Sequence, residues 1–507
     1  MAPRRPRVGE DGFGEVAIVG GGIGGLALAL ALQHAAPTAR VAVYERDSDL
    51  DERMQGYGLT LSATNAALGA LGLLEELRQR DTASHAHWVF DGDGAVMGYF
   101  GRAFMPDEGG EQERLRGNLR VPRQVLRKML LKRLRPGTVQ WGSRLRDFQA
   151  DSEGVTLRFE PRVDGSAHPS NGTRAALLVG ADGVRSKVRA MLDAGASCGD
   201  GVKANNKGGV QAASKQPSAS EVQQPQPVSP RSSLCYFGVL ITTGLTSVRH
   251  PLFEQQGYYT LDGTSRLFTM PFQKRDEAQG AEQLTMWQVS SAVESLEEAN
   301  AIAHGPPGAL LDFLEARTGG WHAPMGEVLL AARAALKVPG GRGGDGRGCR
   351  VGEHGALWGT PLYDRAPRDP PVKGERRRVT TLGDAAHAMS PFKGQGANTA
   401  LFDAWQLATW LTKCPLSAAV GNYEREMAAR GAARVAASRE AAVLYHSPAA
   451  LEPENAPGMQ GVAPAKAAEL IAALRRQGVR GGTDHPDDII ATAKRLLDDG
   501  GLQESSQ

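Results

Sequence analysis

Apolar and polar positions alternate in two different registers along the chain. EVAIV (residues 15–19) is an apolar run of strand length; glycines follow, and a helix is predicted from Ile23 to about Gln33. RVAVY (40–44) reads as the next strand, which completes a β-α-β unit of about 30 residues. Helical spacing returns from about Thr64 to Arg80, with Leu68, Leu71, Leu74 and Leu77 on one side, and from Arg123 to Leu134, with Leu126, Met129, Leu130 and Leu134. Strands are predicted over 139–148 and 154–160, and AALLVG (175–180) reads as a buried parallel strand. From Ser233 to Val289, short aromatic and β-branched runs (YFGVLIT, GYYTL, RLFTM, LTMWQVS) predict an antiparallel sheet inserted into the α/β framework. VTTLG (379–383) is a further strand, a long amphipathic helix follows Asn398, and another spans about Asn422 to Tyr445. Three stretches break the pattern: 198–233, poor in large apolar residues and rich in Gly, Ser, Gln and Pro; the loop GGRGGDGRG (340–348); and the tail after Gly500.

Composition narrows the classes. Hydrophobic residues make up 41% of the 507, enough for a sizeable core. A net charge of +2 gives no reason to expect nucleic-acid binding, and no run of about 18 apolar residues predicts a transmembrane segment. Cys198, Cys235, Cys349 and Cys414 are scattered with no CxxC pair, against a disulfide framework or a zinc ribbon, and no metal site is expected. A reducing compartment follows, cytoplasmic by default; the basic opening MAPRRPR lacks the apolar core of a secretory signal and leaves organelle import open.

The chemistry is concentrated in three motifs. Gly20-Gly21-Gly22-Ile23-Gly24-Gly25 fits GxGxxG between a strand and a helix. Gly20 permits the tight turn, Gly22 a close approach of a pyrophosphate to the helix N-terminus, and Gly25 close helix–strand packing. Glu45 lies 20 residues past Gly25 at the end of the second strand, placed to accept from an adenosine ribose and to disfavour the 2′-phosphate of NADP there. This motif alone does not choose between NAD and FAD. The second motif is LLVGADGVRSKVR (177–189), with Asp182-Gly183, Ser186 and Arg189. In the third, VTTLGDAAHAMSPFKGQGAN from Val379, a strand ends in Gly383-Asp384 and a loop carries Pro391, Gly394, Gly396 and Asn398 into a helix. A carboxylate at a strand end suits ribityl hydroxyls, and a glycine-rich loop can offer N–H groups to a flavin ring.

Together these motifs resemble the class A flavoprotein monooxygenases, the single-component aromatic hydroxylases related to para-hydroxybenzoate hydroxylase. YERDSDLDER…GLTLSATNAALGALGLL and NYEREM resemble the tetracycline-inactivating and salicylate hydroxylase-like subgroups. The resemblance implies an α/β fold: a Rossmann-like FAD/NAD(P)-binding domain with an inserted antiparallel substrate-binding sheet and C-terminal helices. The implied organisation is a tail (1–14), a discontinuous FAD-binding domain (15–85, 115–197 and 350–415), a substrate-binding sheet (86–114 and 234–339), a disordered insert (198–233) and a C-terminal helical region and tail (416–507).

It also implies FAD as cofactor, NADPH or NADH as co-substrate, and O2, with hydroxylation of a small aromatic or polyketide-like substrate through a flavin C4a-hydroperoxide. Gly20, Gly22, Gly25 and Glu45, with Arg46 adjoining, would hold the ADP half of FAD. Arg123 would lie near the ribityl and pyrophosphate region, and Asp384 on the ribityl chain. Asp182 and Gly183 would serve FAD and NAD(P)H, and Arg53 a nicotinamide contact. Gly394, Gly396 and Asn398 would lie beside the isoalloxazine, with the Pro391 and Gly394 backbone stabilising charge and no side-chain nucleophile needed. Thr60 departs from the tetracycline subgroup, which has an aspartate there.

His387 reads as structural, and the aromatics from Tyr236 to Trp287 as sheet packing more than pocket lining. No second GxGxxG unit marks a separate nicotinamide domain, and no halogenase WxWxIP motif occurs. The residues themselves leave open an isoprenoid epoxidase or another flavin oxidoreductase of this fold, and a non-catalytic flavin-binding redox sensor. The partner expected is a small molecule; oligomeric state is not assigned.

Overall fold

The computed structural model describes residues 14–52, 57–105, 117–161, 166–195, 234–274, 282–306, 308–336, 349–351, 355–370 and 377–498, besides positions 8 and 10. Two sheets organise them. The first is parallel, with strand order β18-β11-β1-β2-β7: β1 (Val16–Val19), β2 (Val41–Tyr44), β7 (Val139–Gln140), β11 (Leu177–Gly180) and β18 (Val379–Thr381). Alternate residues of β1 explain its unbroken apolar run. Val16 and Ile18 pack with helix α1 (Ile23–Ala35) and its neighbours, while Ala17 and Val19 pack on the other face. That other face is covered by a three-stranded antiparallel sheet, β8 (Leu145–Ala150), β9 (Val155–Phe159) and β10 (Arg174–Ala175), and by helix α5 (Lys187–Asp193). Helix α1 is buried from Ile23 to Gln33 because α4 (Arg123–Arg133) and α10 (Gly396–Lys413) enclose it against the sheet.

The second sheet has nine strands in the order β16-β17-β12-β15-β14-β13-β4-β5-β19. These are β4 (Ala86–Asp91), β5 (Val96–Gly101), β12 (Cys235–Thr246), β13 (Gln256–Leu261), β14 (Ser265–Gln273), β15 (Leu284–Ala292), β16 (Cys349–Val351), β17 (Gly355–Asp364) and β19 (Gly458–Met459). Its back face, with Trp88, Phe90, Tyr258, Leu267, Trp287 and Val289, packs under α6 (Leu296–His304), α7 (Ala309–Thr318), α8 (Met325–Leu336), α12 (Pro464–Arg476) and α13 (Pro486–Asp498). Residues of the other parity, among them Tyr259, Phe268, Met270, Met286 and Gln288, line the front face toward the parallel sheet. A ribbon of β3 (Gly58–Ser62) and β6 (Asn118–Pro122) bridges the units, and Gly58 N–H donates to Met286 Sδ at 3.1 Å. Helix α11 (Leu416–Tyr445) spans both: Tyr423 Oη donates to Thr381 O at 3.0 Å, while Ala441 and Ala442 pack with Val239 and Phe392.

Several sequence expectations need correction. The helix expected over 64–80 is two short helices, α2 (Ala66–Ala70) and α3 (Leu74–Gln79), because Gly72 turns left-handed (φ +67°) between them. The strand expected over 139–148 divides into β7 and β8, which join different sheets. Strand β17, grouped by sequence with the dinucleotide-binding segments, pairs instead with β12 in the nine-stranded sheet. That sheet is not wholly antiparallel, since β4 pairs parallel with β13 and β19 parallel with β5. Within the C-terminal helical region expected over 416–507, α12 and α13 carry Leu470, Leu474, Ile489 and Ala493 into the sheet's back core. The stretch 198–233, the loop 340–348 and the tail after Gly500 lie outside the described residues. A short helix, α9 (Asp384–His387), follows β18.

Candidate active site

Four of the sequence-predicted residues lie within three residues of the ends of parallel strands. Gly20 follows β1, Glu45 follows β2, Asp182 lies two residues past β11, and Asp384 three past β18. Parallel strands present these positions along one carboxyl edge, the edge where open α/β sheets bind ligands.

Sterics select the glycines. Gly20 has φ +110°, and an added Cβ would lie 2.4 Å from Ala181 O. A Cβ on Gly25 would lie 2.0 Å from Gly20 O, so only glycine lets α1 start this close to β1. Around Gly22 the corresponding space is empty to 4 Å, and no side chain caps α1. The free N–H groups of the first turn therefore face open space of the kind an anion fills. Glu45 is buried beneath this turn: Oε2 accepts from Gly21 N–H at 2.6 Å and Oε1 from Asp47 N–H at 3.0 Å. A carboxylate has about four lone-pair sites, so capacity remains for ribose hydroxyls. Arg46 is exposed, 3.9 Å from Asp47. Arg53 lies outside the described residues.

Arg127 was not singled out from sequence. Buried one turn past Arg123, it donates to Gly21 O from Nε at 3.2 Å and Nη2 at 3.0 Å, fixing the glycine turn from below. Burial, then the neighbouring Arg123, pushes its pKa down. Arg123 opens α4, its N–H donating to Tyr57 O at 3.0 Å and its guanidinium 5.5 Å from the Tyr57 ring. Burial raises the Tyr57 phenol, with Arg123 opposing and Asp384 assisting.

Asp182 is more occupied than its expected role required. Ser186 Oγ, Lys187 N–H (2.8 Å) and Val188 N–H (3.2 Å) all donate to its carboxylate, so it ties down the first turn of α5, whose N-cap is Ser186; burial raises its pKa against those bonds. Gly183 beside it has φ +80°. Arg189, from the same motif, is 1% exposed and donates to Ala386 O at 2.9 Å, tying the second motif to the third.

Asp384 is open to solvent yet ringed by protein, as a residue at the floor of a crevice is. Burial raises its carboxyl, while the charges of His387 and Arg123 pull it down. A Cβ on Gly396, the first residue of α10, would lie 3.9 Å from Asp384 Oδ1, so the carboxylate borders a second uncapped helix start. In the preceding loop Pro391 and Gly394 are exposed, and Gly394 is left-handed (φ +62°). Asn398 is not free to meet a ring. Its Nδ2 donates to Thr60 O (2.9 Å) and Gly394 O (3.0 Å), and its Oδ1 accepts from Ser62 N–H (2.8 Å). It clamps the loop to β3, with Thr60 contributing its backbone.

His387 is structural. Its Nε2 meets Asp403 Oδ2 at 2.6 Å, and Asp403 also accepts from Gly383 N–H (3.1 Å) and Arg430 Nη2 (2.7 Å). Burial alone would lower the His387 pKa, but the Asp403 carboxylate raises it; Asp403 is held low against burial by His387 and Arg430. Asp403 falls on the buried helical stripe Thr399–Asp403–Leu407–Leu411, and that period was the sequence signal for it.

The glycine-built strand–helix turn, the acid ending the second strand and the carboxylate beside an uncapped helix define a dinucleotide-binding oxidoreductase with a crevice fitted to FAD. Residues 14–232 and 373–438 match the FAD binding domain family, and the chain belongs to it. It is 28% identical to the phenazine 1,6-dicarboxylic acid hydroxylase of Lysobacter antibioticus over 403 residues, covering 78% of this chain and 82% of that protein. It is 27% identical to a 3-amino-4-hydroxybenzoate 2-monooxygenase of Streptomyces platensis, covering 81% of each. Among solved structures, Klebsiella pneumoniae HpxO complexed with FAD and uric acid has the same fold, with a TM-score of 0.61, 19% identity, and coverage of 96% and 98%. The protein is an FAD-dependent monooxygenase. Among the described residues, no helix is long and apolar enough to cross a membrane and no metal-binding cluster occurs.

Proposed function

We propose that this enzyme draws hydride from NADPH or NADH and hydroxylates a small aromatic or polyketide-like compound held between the carboxyl edge of the parallel sheet and the front of the nine-stranded sheet. The observation that carries this reading is the loop Pro391–Gly396, which stands between Asp384 and that front face, where Tyr259, Phe268, Gln288 and Trp358 are half-buried. FAD, held by these residues, would supply hydride acceptance and dioxygen activation. The chain supplies position and electrostatics. The α1 N-terminus at Gly22 would meet the pyrophosphate, Glu45 the ribose, and Asp384 with Arg123 the ribityl chain. Asn398 would hold the loop so that the backbone N–H groups near Gly394 and Gly396 stabilise charge on the ring. The aromatic front would exclude water from the reacting centre. Two relatives are named for aromatic acids, which supports the aromatic class.

The test is the visible spectrum of the purified protein, then NADPH or NADH oxidation in air with phenolic, phenazine and polyketide-like compounds. Flavin bands near about 375 and 450 nm are expected, with oxidation accelerated by substrate and label from 18O2 in the product. A colourless protein that takes up no added FAD overturns the reading. NAD(P)H oxidation that never inserts oxygen overturns the monooxygenase part.

A further inference from the structure

The stretch that leads into the flavin loop is held from two sides. Ala388 O accepts from the backbone N–H of Arg365, the residue after β17, at 2.9 Å. Ser390 Oγ donates to Ser438 O on α11, also at 2.9 Å. Ala388, Ser390 and Ser438 are all buried. Each holder has its chain neighbour in one ion pair. Asp364, the last residue of β17, accepts from Arg439 of α11 through Nε at 2.6 Å and through Nη2. Asp364 is 1% exposed and Arg439 half-buried.

Such a pair sets a distance. Two parallel hydrogen bonds between a guanidinium and a carboxylate fix separation and angle together. Net stability is a poor reason to bury one, since apolar packing serves as well, and its best-attested use is to fix register. The apolar contacts beside it do not supply that register. Ala441 and Ala442 of α11 pack with Val239, Phe392 and Leu362, and alanine methyls form no ridge to lock a helix along its axis. The pair lies one residue from both holders, so it sets the spacing between Arg365 N–H and Ser438 O. That spacing determines where the chain enters Pro391–Gly394. Neither residue belongs to the three sequence motifs.

We propose that Asp364 and Arg439 are positioning residues for the monooxygenase reaction. Their ion pair holds the entry of the flavin loop so that the backbone N–H groups near Gly394 and Gly396 meet the flavin ring. This rests on the reading above, in which the loop faces that ring. Both residues act through the loop and touch neither flavin nor substrate.

The test compares wild type with Asp364→Asn, Arg439→Lys, Arg439→Gln and the double variant Asp364→Asn/Arg439→Gln. Hydrogen exchange is followed over 388–396 with and without FAD, and the reduced-to-oxidised ratio of bound flavin is read at one fixed redox poise. In Asp364→Asn, exchange over 388–396 quickens about 10-fold or more while β1 and α1 exchange as in wild type. The flavin ratio falls about 3-fold or more, because donors that stabilise charge on the reduced ring lose their alignment. Arg439→Lys, which keeps the charge but not the planar fork, falls between. The double variant is no worse than either single one, as expected of two groups acting as a unit. A pair that only stabilised the fold would lower the melting temperature and leave the flavin ratio unmoved. Unchanged exchange over 388–396, an unchanged flavin ratio in a variant that holds FAD, or additive losses in the double variant overturns the assignment. Should Asp364→Asn not fold, Arg439→Lys decides it by the same two measures. Unmoved exchange and flavin ratio in an enzyme whose wild type inserts oxygen refute the pair's role alone, whereas a wild type that binds FAD and inserts no oxygen refutes the monooxygenase reading itself.

Discussion

Asp403→Asn removes the one negative charge between two cations that are otherwise buried. Asp403 is fully buried and takes hydrogen bonds from His387, Arg430 and the Gly383 backbone. The asparagine keeps the shape but leaves Arg430 its Gln406 hydrogen bond (2.7 Å) in place of an ion pair, and removes the carboxylate that raises His387 most, with Asp384 the lesser contributor. Breaking a buried pair from one side costs about 3–5 kcal/mol. The pH dependence sharpens this. His387 has a folded pKa above its ordinary value near 6.5, so its contribution is fully present below about pH 6.5 and fades as pH rises through the folded value. The stability gap between wild type and Asp403→Asn is therefore widest at pH 6 and narrower, though not zero, at pH 9, where Arg430 still needs its partner. Urea unfolding followed by far-UV circular dichroism at both pH values measures it, with hydrogen exchange at the Gly383 amide as a local probe. A loss under about 1 kcal/mol at pH 6, or an equal loss at both pH values, would refute the charge-triad account.

The same geometry yields further expectations. Gly25→Ala drives a Cβ to 2.0 Å from Gly20 O, a backbone atom that cannot yield, so the variant should fold poorly and hold no FAD. Gly22→Ala meets empty space and should melt like wild type, yet bind FAD at least about 10-fold more weakly in a fluorescence titration, since the methyl would occupy the pyrophosphate's approach. Arg127→Met frees the Gly21 carbonyl; FAD affinity should fall further than the melting temperature does, and equal FAD affinity would sink that role. His87 and His446 have pKa values lowered to about 3 and about 4, chiefly by burial, so the unfolded chain takes up protons first as pH falls below about 6.5. Stability should drop between pH 6.5 and 4 by about 2–3 kcal/mol per histidine, and His446→Gln should flatten part of that slope.

What the sequence disclosed follows from how local each determinant is. The glycine turn, Glu45 and the strand-end acids were legible because each depends on a few neighbouring residues and on a strand-to-helix switch visible in the apolar period. Strand partners were not, because alternation shows that β17 is half-buried but not which strand it joins; its pairing with β12 is a long-range choice. Side chains divide the same way. Arg123 was seen as part of a motif, whereas Arg127, one turn on, is defined by the Gly21 carbonyl about a hundred residues away. Arg266 sits in a run, RLFTM, that reads as ordinary strand. Only the convergence of β13, β14, the flavin loop and the end of α11 surrounds it with rings.

That convergence bears on how the two halves of the enzyme act together. Helix α11 is fixed to the parallel sheet at one end, where Glu424 accepts from Thr380 Oγ1 at 2.7 Å and pairs with Arg377 at 2.8 Å. Near its other end Ser438 O accepts from Ser390 Oγ at 2.9 Å, just before the flavin loop, and the Tyr445 ring lies 5.1 Å from Arg266 Cζ. The loop is thus held on three sides: by Asn398 to β3, by Ser390 to α11, and by Phe392 to Arg266. Arg266 Cζ lies 5.0 Å from the Phe392 ring, so the front sheet and the flavin loop share one packing contact. Phe392→Leu keeps the volume apolar but removes the ring face. It should loosen that contact, raising NAD(P)H oxidation without product formation relative to oxygen insertion. Unchanged coupling in Phe392→Leu would mean the loop is positioned without that ring.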